Sequence, residues 1–130
     1  MDGATFDEAY QNDARDIIVP NLGTTSVLVG FEALPTRQVL AEIRAPVLEN
    51  LDVTSRLTQR VAWMTGTFQV GFLSLHRDGK GTWLQFSYTM LAEMGSEAIV
   101  TQLVVTVGHT ASRLSRELRP ILGGTFIHVA

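Results

Sequence analysis

The chain of 130 residues contains no cysteine, which excludes a disulfide scaffold, a thiolate metal site and a cysteine nucleophile. Lysine is nearly absent too: Lys80 stands alone beside nine arginines. No apolar run approaches the roughly 18 residues that a spanning helix needs, so no membrane span is expected. The amino terminus is acidic and lacks the basic-then-apolar order of a secretory signal, so a cytoplasmic location is expected. Charged residues make up only 18% of the chain while hydrophobic ones reach 45%, which argues for a folded core over disorder.

The length fits a single domain over residues 1–130, large enough to bury a core unaided. The formal charge of −3 is unevenly spread. Asp2, Asp7, Glu8, Asp13 and Asp16 face Arg15 alone in the first sixteen residues, whereas the rest of the chain is almost balanced. A near-neutral body does not attract a polyanion, so no nucleic-acid partner is expected. Arg113, Arg116 and Arg119 recur every three residues, with Glu117 beside them. They form either a solvated helix face or a docking stripe for an acidic partner.

Hydrophobic periodicity divides the chain into strands and helices. Phe6 and Tyr10 are spaced as one or two turns of helix, or they belong to an arm over residues 1–15. Asp16 to Pro20 reads as a short strand that Pro20 stops, because proline has no N–H to donate. Ser26 to Leu34 and Val39 to Val47 alternate with period two, as half-buried strands of an antiparallel meander do. Leu57, Val61 and Met64 form one helical stripe, with Asp52 or Thr54 as cap and Gly66 as terminator. Phe68 to His76 and Trp83 to Met90 are two further strands around an Arg77–Gly81 hairpin loop. Gly71 in the first of them marks a bulge or a close backbone approach. Ser96 caps a last helix whose apolar stripe runs from Ile99 through Val107 to Leu118, and Pro120 should end it. After Gly123 and Gly124, an apolar tail at Phe126–Val129 is a small edge strand or the start of a contact. The order β-β-β-α-β-β-α predicts an α+β domain: a five-stranded antiparallel sheet with its helices on one face.

No catalytic constellation emerges. His76, His109 and His128 lie 33 and 19 residues apart, without local ligand spacing, so no metal is expected. No serine sits in a Gly-x-Ser-x-Gly elbow, and Gly79-Lys80-Gly81 lacks the glycine spacing and following helix of a phosphate loop. Glu32 and Glu42 fall on neighbouring strands, where such carboxylates are usually solvated rather than paired for hydrolysis. The chain is therefore expected not to be an enzyme and to hold no cofactor.

Trp63 and Trp83 both lie off the apolar stripe of their own element. By simple alternation, Leu73, Leu75 and Trp83 fall on the sheet face opposite Leu84 and Phe86, an apolar patch that would need a partner. Trp63, Trp83, Leu73 and Leu75 are the expected partner contacts, with Arg113 and Arg116 as a polar rim.

The ordered set of segments adds a resemblance. It comprises Arg-Ala-Pro-Val-Leu at Arg44–Leu48, Phe68-Gln-Val-Gly-Phe-Leu-Ser-Leu, the Asp78-Gly hairpin, Trp83-Leu-Gln-Phe-Ser-Tyr-Thr-Met-Leu, and Thr110-Ala-Ser-Arg-Leu-Ser-Arg-Glu-Leu before Gly123-Gly124. From about Ile17 to Gly124 the chain resembles the YbjN-like branch of the type III secretion chaperone-like superfamily of bacteria. It departs at Trp63-Met64-Thr65 and at Ser112-Arg113, and the long first helix of the secretion chaperones is missing or reduced to residues 5–15. The resemblance implies a small α/β sandwich that holds another polypeptide, with no cofactor and no chemistry. The expected function is a chaperone- or adaptor-like module that binds a segment of a partner protein. The alternative is a self-associating subunit, with a homodimer formed through the sheet or the long helix.

Overall fold

A computed structural model describes residues 17–22, 25–68, 71–79 and 81–127, with side chains from Ser26 onward. The Phe6/Tyr10 arm and His128 lie outside these residues. The elements are β1 (Ile17–Leu22), β2 (Thr25–Ala33), β3 (Val39–Glu49), α1 (Ser55–Thr65), β4 (Phe72–Asp78), β5 (Gly81–Leu91), a 3-10 turn (Ala92–Met94), α2 (Glu97–Leu122) and β6 (Thr125–Phe126). All strand pairs are antiparallel, in the order β1-β2-β3-β5-β4, with the two-residue β6 beside the end of β3. The α+β class and the five main strands are those expected from the sequence.

Both helices start at the expected caps. The Leu57 N–H donates to Thr54 Oγ1 at 3.1 Å, and the Ile99 N–H donates to Ser96 Oγ at 3.2 Å. Each hydroxyl satisfies a donor that the first helical turn leaves without a partner. Glu97 adds a negative charge at the positive end of α2. α2 lies across β1, β2, β3 and β5, while α1 packs on β4. Their stripes meet one face of the sheet in a single core. It contains Val27, Val29, Ile43, Ala45, Leu84, Phe86 and Leu73 from the strands and Leu57, Val61, Val104, Val107, Ala111, Leu114 and Leu118 from the helices. Ile99 does not join it and stays exposed at the free end of the α2 stripe.

Two prolines end nothing. β1 runs through Pro20 to Leu22, with its register broken between Val19 and Leu22. An edge strand tolerates the missing donor on its unpaired side. α2 likewise continues through Pro120 to Leu122. In the last turn proline removes one hydrogen bond rather than a run of them, and the Gly123 N–H still reaches Arg119 O at 2.9 Å.

β3 also outlasts its expected end at Val47 and reaches Glu49. A register shift between Pro46 and Leu48 turns both Val47 and Leu48 inward, and both are fully buried. An extra residue in one strand of a pair has this effect. β4 begins at Phe72, later than expected. Gly71, just before it, has φ +82°, and a Cβ there would stand 2.5 Å from Phe86 Cζ and 2.7 Å from Ser87 O. The close backbone approach expected at this glycine is present: no side chain fits between the chain and the Phe86 ring.

Candidate interaction surfaces

The pairing of β4 with β5 decides which side chains share a face. Leu73 stands opposite Phe86, Leu75 opposite Leu84 and His76 opposite Trp83. Directly opposed residues of an antiparallel pair point to the same side. Leu73 and Leu75 therefore face the helices, not the open side. Leu73 keeps only 4% of its surface exposed, and Leu75 packs against the same core. The expected patch of Leu73, Leu75 and Trp83 is split between the two faces of the sheet: Leu73 is buried, and Leu75 is partly buried against the core.

The open face carries Phe72, Ser74 and His76 from β4, Trp83, Gln85 and Ser87 from β5, and Glu42 and Arg44 from β3. Three side-chain contacts on this face run along single strands. Arg44 Nη1 donates to Glu42 Oε1 at 2.6 Å, Gln85 Nε2 donates to Ser87 Oγ at 3.0 Å, and Ser74 Oγ shares a hydrogen bond with His76 Nε2 at 2.8 Å. The His76 ring stacks on Trp83 with centroids 5.4 Å apart and planes 23° from parallel. Trp83 is half-buried by this stack. It also lines a cleft of about 490 Å³ with Pro46, Asn50, Thr82 and Ile127.

Trp63 lies on the other side of the molecule, on the outward face of α1, with 74% of its surface exposed. The two tryptophans are thus separated by the sheet and the helix layer, and no common patch unites them. Arg113 and Arg116 are exposed on α2; Arg113 Nε lies 3.9 Å from Glu117 Oε1. Arg119 is drawn off the stripe, its guanidinium 5.0 Å above the Phe126 ring. The stripe is therefore a partly neutralised helix face rather than three parallel cations.

The edge of β4 is fastened by a side chain that no sequence pattern singles out. Thr65, the last residue of α1, accepts from the Leu73 N–H at 2.6 Å and donates to Leu73 O at 3.0 Å. One hydroxyl so replaces the neighbouring strand that Leu73 lacks. At the other end of the sheet, Glu93 Oε1 accepts from the Val39 N–H at 2.8 Å and ties the 3-10 turn to the start of β3.

Among the described residues, no three histidine or carboxylate side chains come close enough to hold a metal ion. Nor is any described helix long and apolar enough to cross a membrane. No family model matches the chain, and no curated protein or solved structure matches it either.

Proposed function

We propose that this domain is a non-enzymatic, chaperone- or adaptor-like module that holds a segment of a partner protein, as the resemblance to the type III secretion chaperone-like superfamily implies. One observation carries the reading: Trp63 presents three-quarters of its surface to water from a helix whose apolar stripe is already buried. An indole so placed adds nothing to the core and leaves a large apolar area hydrated. Tryptophan is the residue most enriched among the anchors that dominate protein interfaces. Trp63 is the anchor in this reading, and Arg113 and Arg116 are accessory polar contacts.

The test compares tagged wild-type protein with Trp63→Ala in affinity purification from the native host, followed by mass spectrometry. One stoichiometric partner is expected with wild type and at least a tenfold loss with Trp63→Ala, with both proteins equally folded by circular dichroism. Recovery of the same partner by both proteins removes Trp63 as the anchor. Recovery of the protein alone, sedimenting as a dimer, replaces this reading with the self-associating subunit.

A further inference from the structure

α1 carries two stripes. Leu57, Val61 and Met64 pack against the core, and one residue earlier Arg56, Arg60 and Trp63 repeat the same i, i+4, i+7 spacing. A shift of one residue turns a helix by about 100°, so the second stripe runs along the flank of the buried one. That flank borders the end of α2, where Arg60 Nη1 donates to Ile121 O at 3.4 Å. Between the two helices lies a cleft of about 290 Å³. Arg56, Leu57 and Arg60 line it from α1, Ile121 and Leu122 from α2, and Asp52 and Thr54 from the segment before α1.

The chemistry of this flank defines what fits it. α1 holds two arginines and no carboxylate among its eleven residues. Of the residues lining the cleft, Asp52 alone is acidic, against two guanidinium groups, so positive charge is in excess there. Apolar surface stands on either side of those charges: Trp63 is 74% exposed and Ile121 56%. A guanidinium takes a carboxylate through two parallel hydrogen bonds, a geometry that a bare point charge does not offer. A concave cleft admits a protruding side chain, which a polypeptide supplies and the plane of a membrane does not. We infer that the Arg56–Arg60–Trp63 flank of α1, with the adjoining cleft, is a docking surface for an acidic segment of a partner protein. Its carboxylates meet Arg56 and Arg60, and its apolar side chains cover Trp63 and enter the cleft beside Ile121. The inference rests on Trp63 being the anchor and adds the charge of the segment it holds. Complementary charge of this kind guides association and rejects basic competitors.

The experiment titrates the full chain by calorimetry, at about 50 mM salt, with the capped peptide Glu-Glu-Leu-Glu-Glu-Phe-Glu-Glu. Saturable binding is expected below about 1 mM peptide. Arg56 is exposed, so Arg56→Gln removes a charge without touching the core. It should weaken binding about fivefold, whereas Arg37→Gln, the same change of charge in the β2–β3 turn, should leave binding unaltered. At about 500 mM salt the wild-type protein should bind no better than Arg56→Gln. A peptide with Gln in place of every Glu should not bind. Binding that is lost with Trp63→Ala but unchanged with Arg56→Gln overturns the inference and keeps Trp63 as anchor. Binding undiminished in Trp63→Ala overturns the anchor as well. An equal loss with Arg37→Gln reduces the effect to net charge, and the absence of saturable heat removes the site; either result overturns the inference. Self-association of the chain that Arg56→Gln abolishes would put a second copy on this flank instead. Arg56-dependent binding of phosphatidylserine vesicles, without binding of the peptide, would put a membrane there.

Discussion

The two faces of the sheet are built from the same strands and obey different rules. On the helix side, Val29, Ile43, Ala45, Leu84, Phe86 and Leu73 interlock with α1 and α2, and burial is the organising force. On the open side, Glu42 meets Arg44, Ser74 meets His76 and Gln85 meets Ser87, each pair two residues apart on one strand. Two-residue spacing puts both members of each pair on one face, where they bond along the strand. The lesson is that the helix side specifies the fold through contacts between elements. On the open side these polar contacts run within single strands, so substitutions there are expected to cost less than substitutions in the core.

The largest test sets neighbouring residues against each other. Leu84 and Gln85 are adjacent on β5, both buried, and point to opposite faces. Leu84→Ala opens a cavity in the core and should cost about 3 kcal/mol of unfolding free energy. Gln85→Ala removes one side-chain hydrogen bond to Ser87 and should cost about 1 kcal/mol. Urea unfolding monitored by circular dichroism reads both. Equal losses would show that the open face is a second packed core and would dissolve the contrast.

How much of the molecule is legible in its sequence depends on what each signal measures. Caps and stripes are local, and Thr54, Ser96, Leu57, Val61, Val107 and Leu118 all play the parts their spacing implies. Alternation is local as well: it separates Leu73 and Leu75 from Phe72 within β4. What it leaves open is which side of β4 matches which side of β5. That depends on register, and register depends on the turn. A five-residue loop at Arg77–Gly81 leaves the match undetermined. The strands in fact pair up to Asp78↔Gly81, with only residues 79 and 80 between them, and this forces Leu73 opposite Phe86. A two-residue turn is the commonest hairpin connection, and counting outward from it assigns both leucines to the core. Trp63 is readable as an outlier of its stripe, and it stands in solvent. The tail is readable only as a segment with two outcomes. Its pairing with β3 follows from where β2 stops, a tertiary fact with no local signature.

An intermediate effect separates the protected end of the β4 edge from the rest of it. Thr65→Val keeps the shape of the side chain and removes the hydroxyl, which leaves the N–H and carbonyl of Leu73 without their partner. A loss of about 1–2 kcal/mol is expected from orphaned backbone groups at a half-buried site. Thr65→Ser should restore most of it, since the two hydrogen bonds need only the hydroxyl. Amide exchange at Leu73 should quicken in the valine variant while exchange at Phe86, across the ladder, stays unchanged. Unaltered exchange at Leu73 would mean that packing of α1, rather than its hydroxyl, holds this edge.

The smallest effect probes whether the open face is held by charge. Glu42 and Arg44 are only partly exposed, and their contact is short, at 2.6 Å. Glu42→Gln keeps the length, shape and acceptor oxygen of the side chain and removes its charge alone. Partly exposed ion pairs contribute little, because solvent and dissolved ions screen them, so a loss of about 0.5 kcal/mol is expected at low salt. At about 1 M salt the screening length falls to about 3 Å, comparable with the contact itself, and the difference between wild type and Glu42→Gln should vanish. A loss that persists at high salt would assign the stabilisation to hydrogen-bond geometry instead of charge. In that case the Glu42–Arg44 pair acts as Gln85–Ser87 does, and the open face is a single kind of surface from β3 to β5.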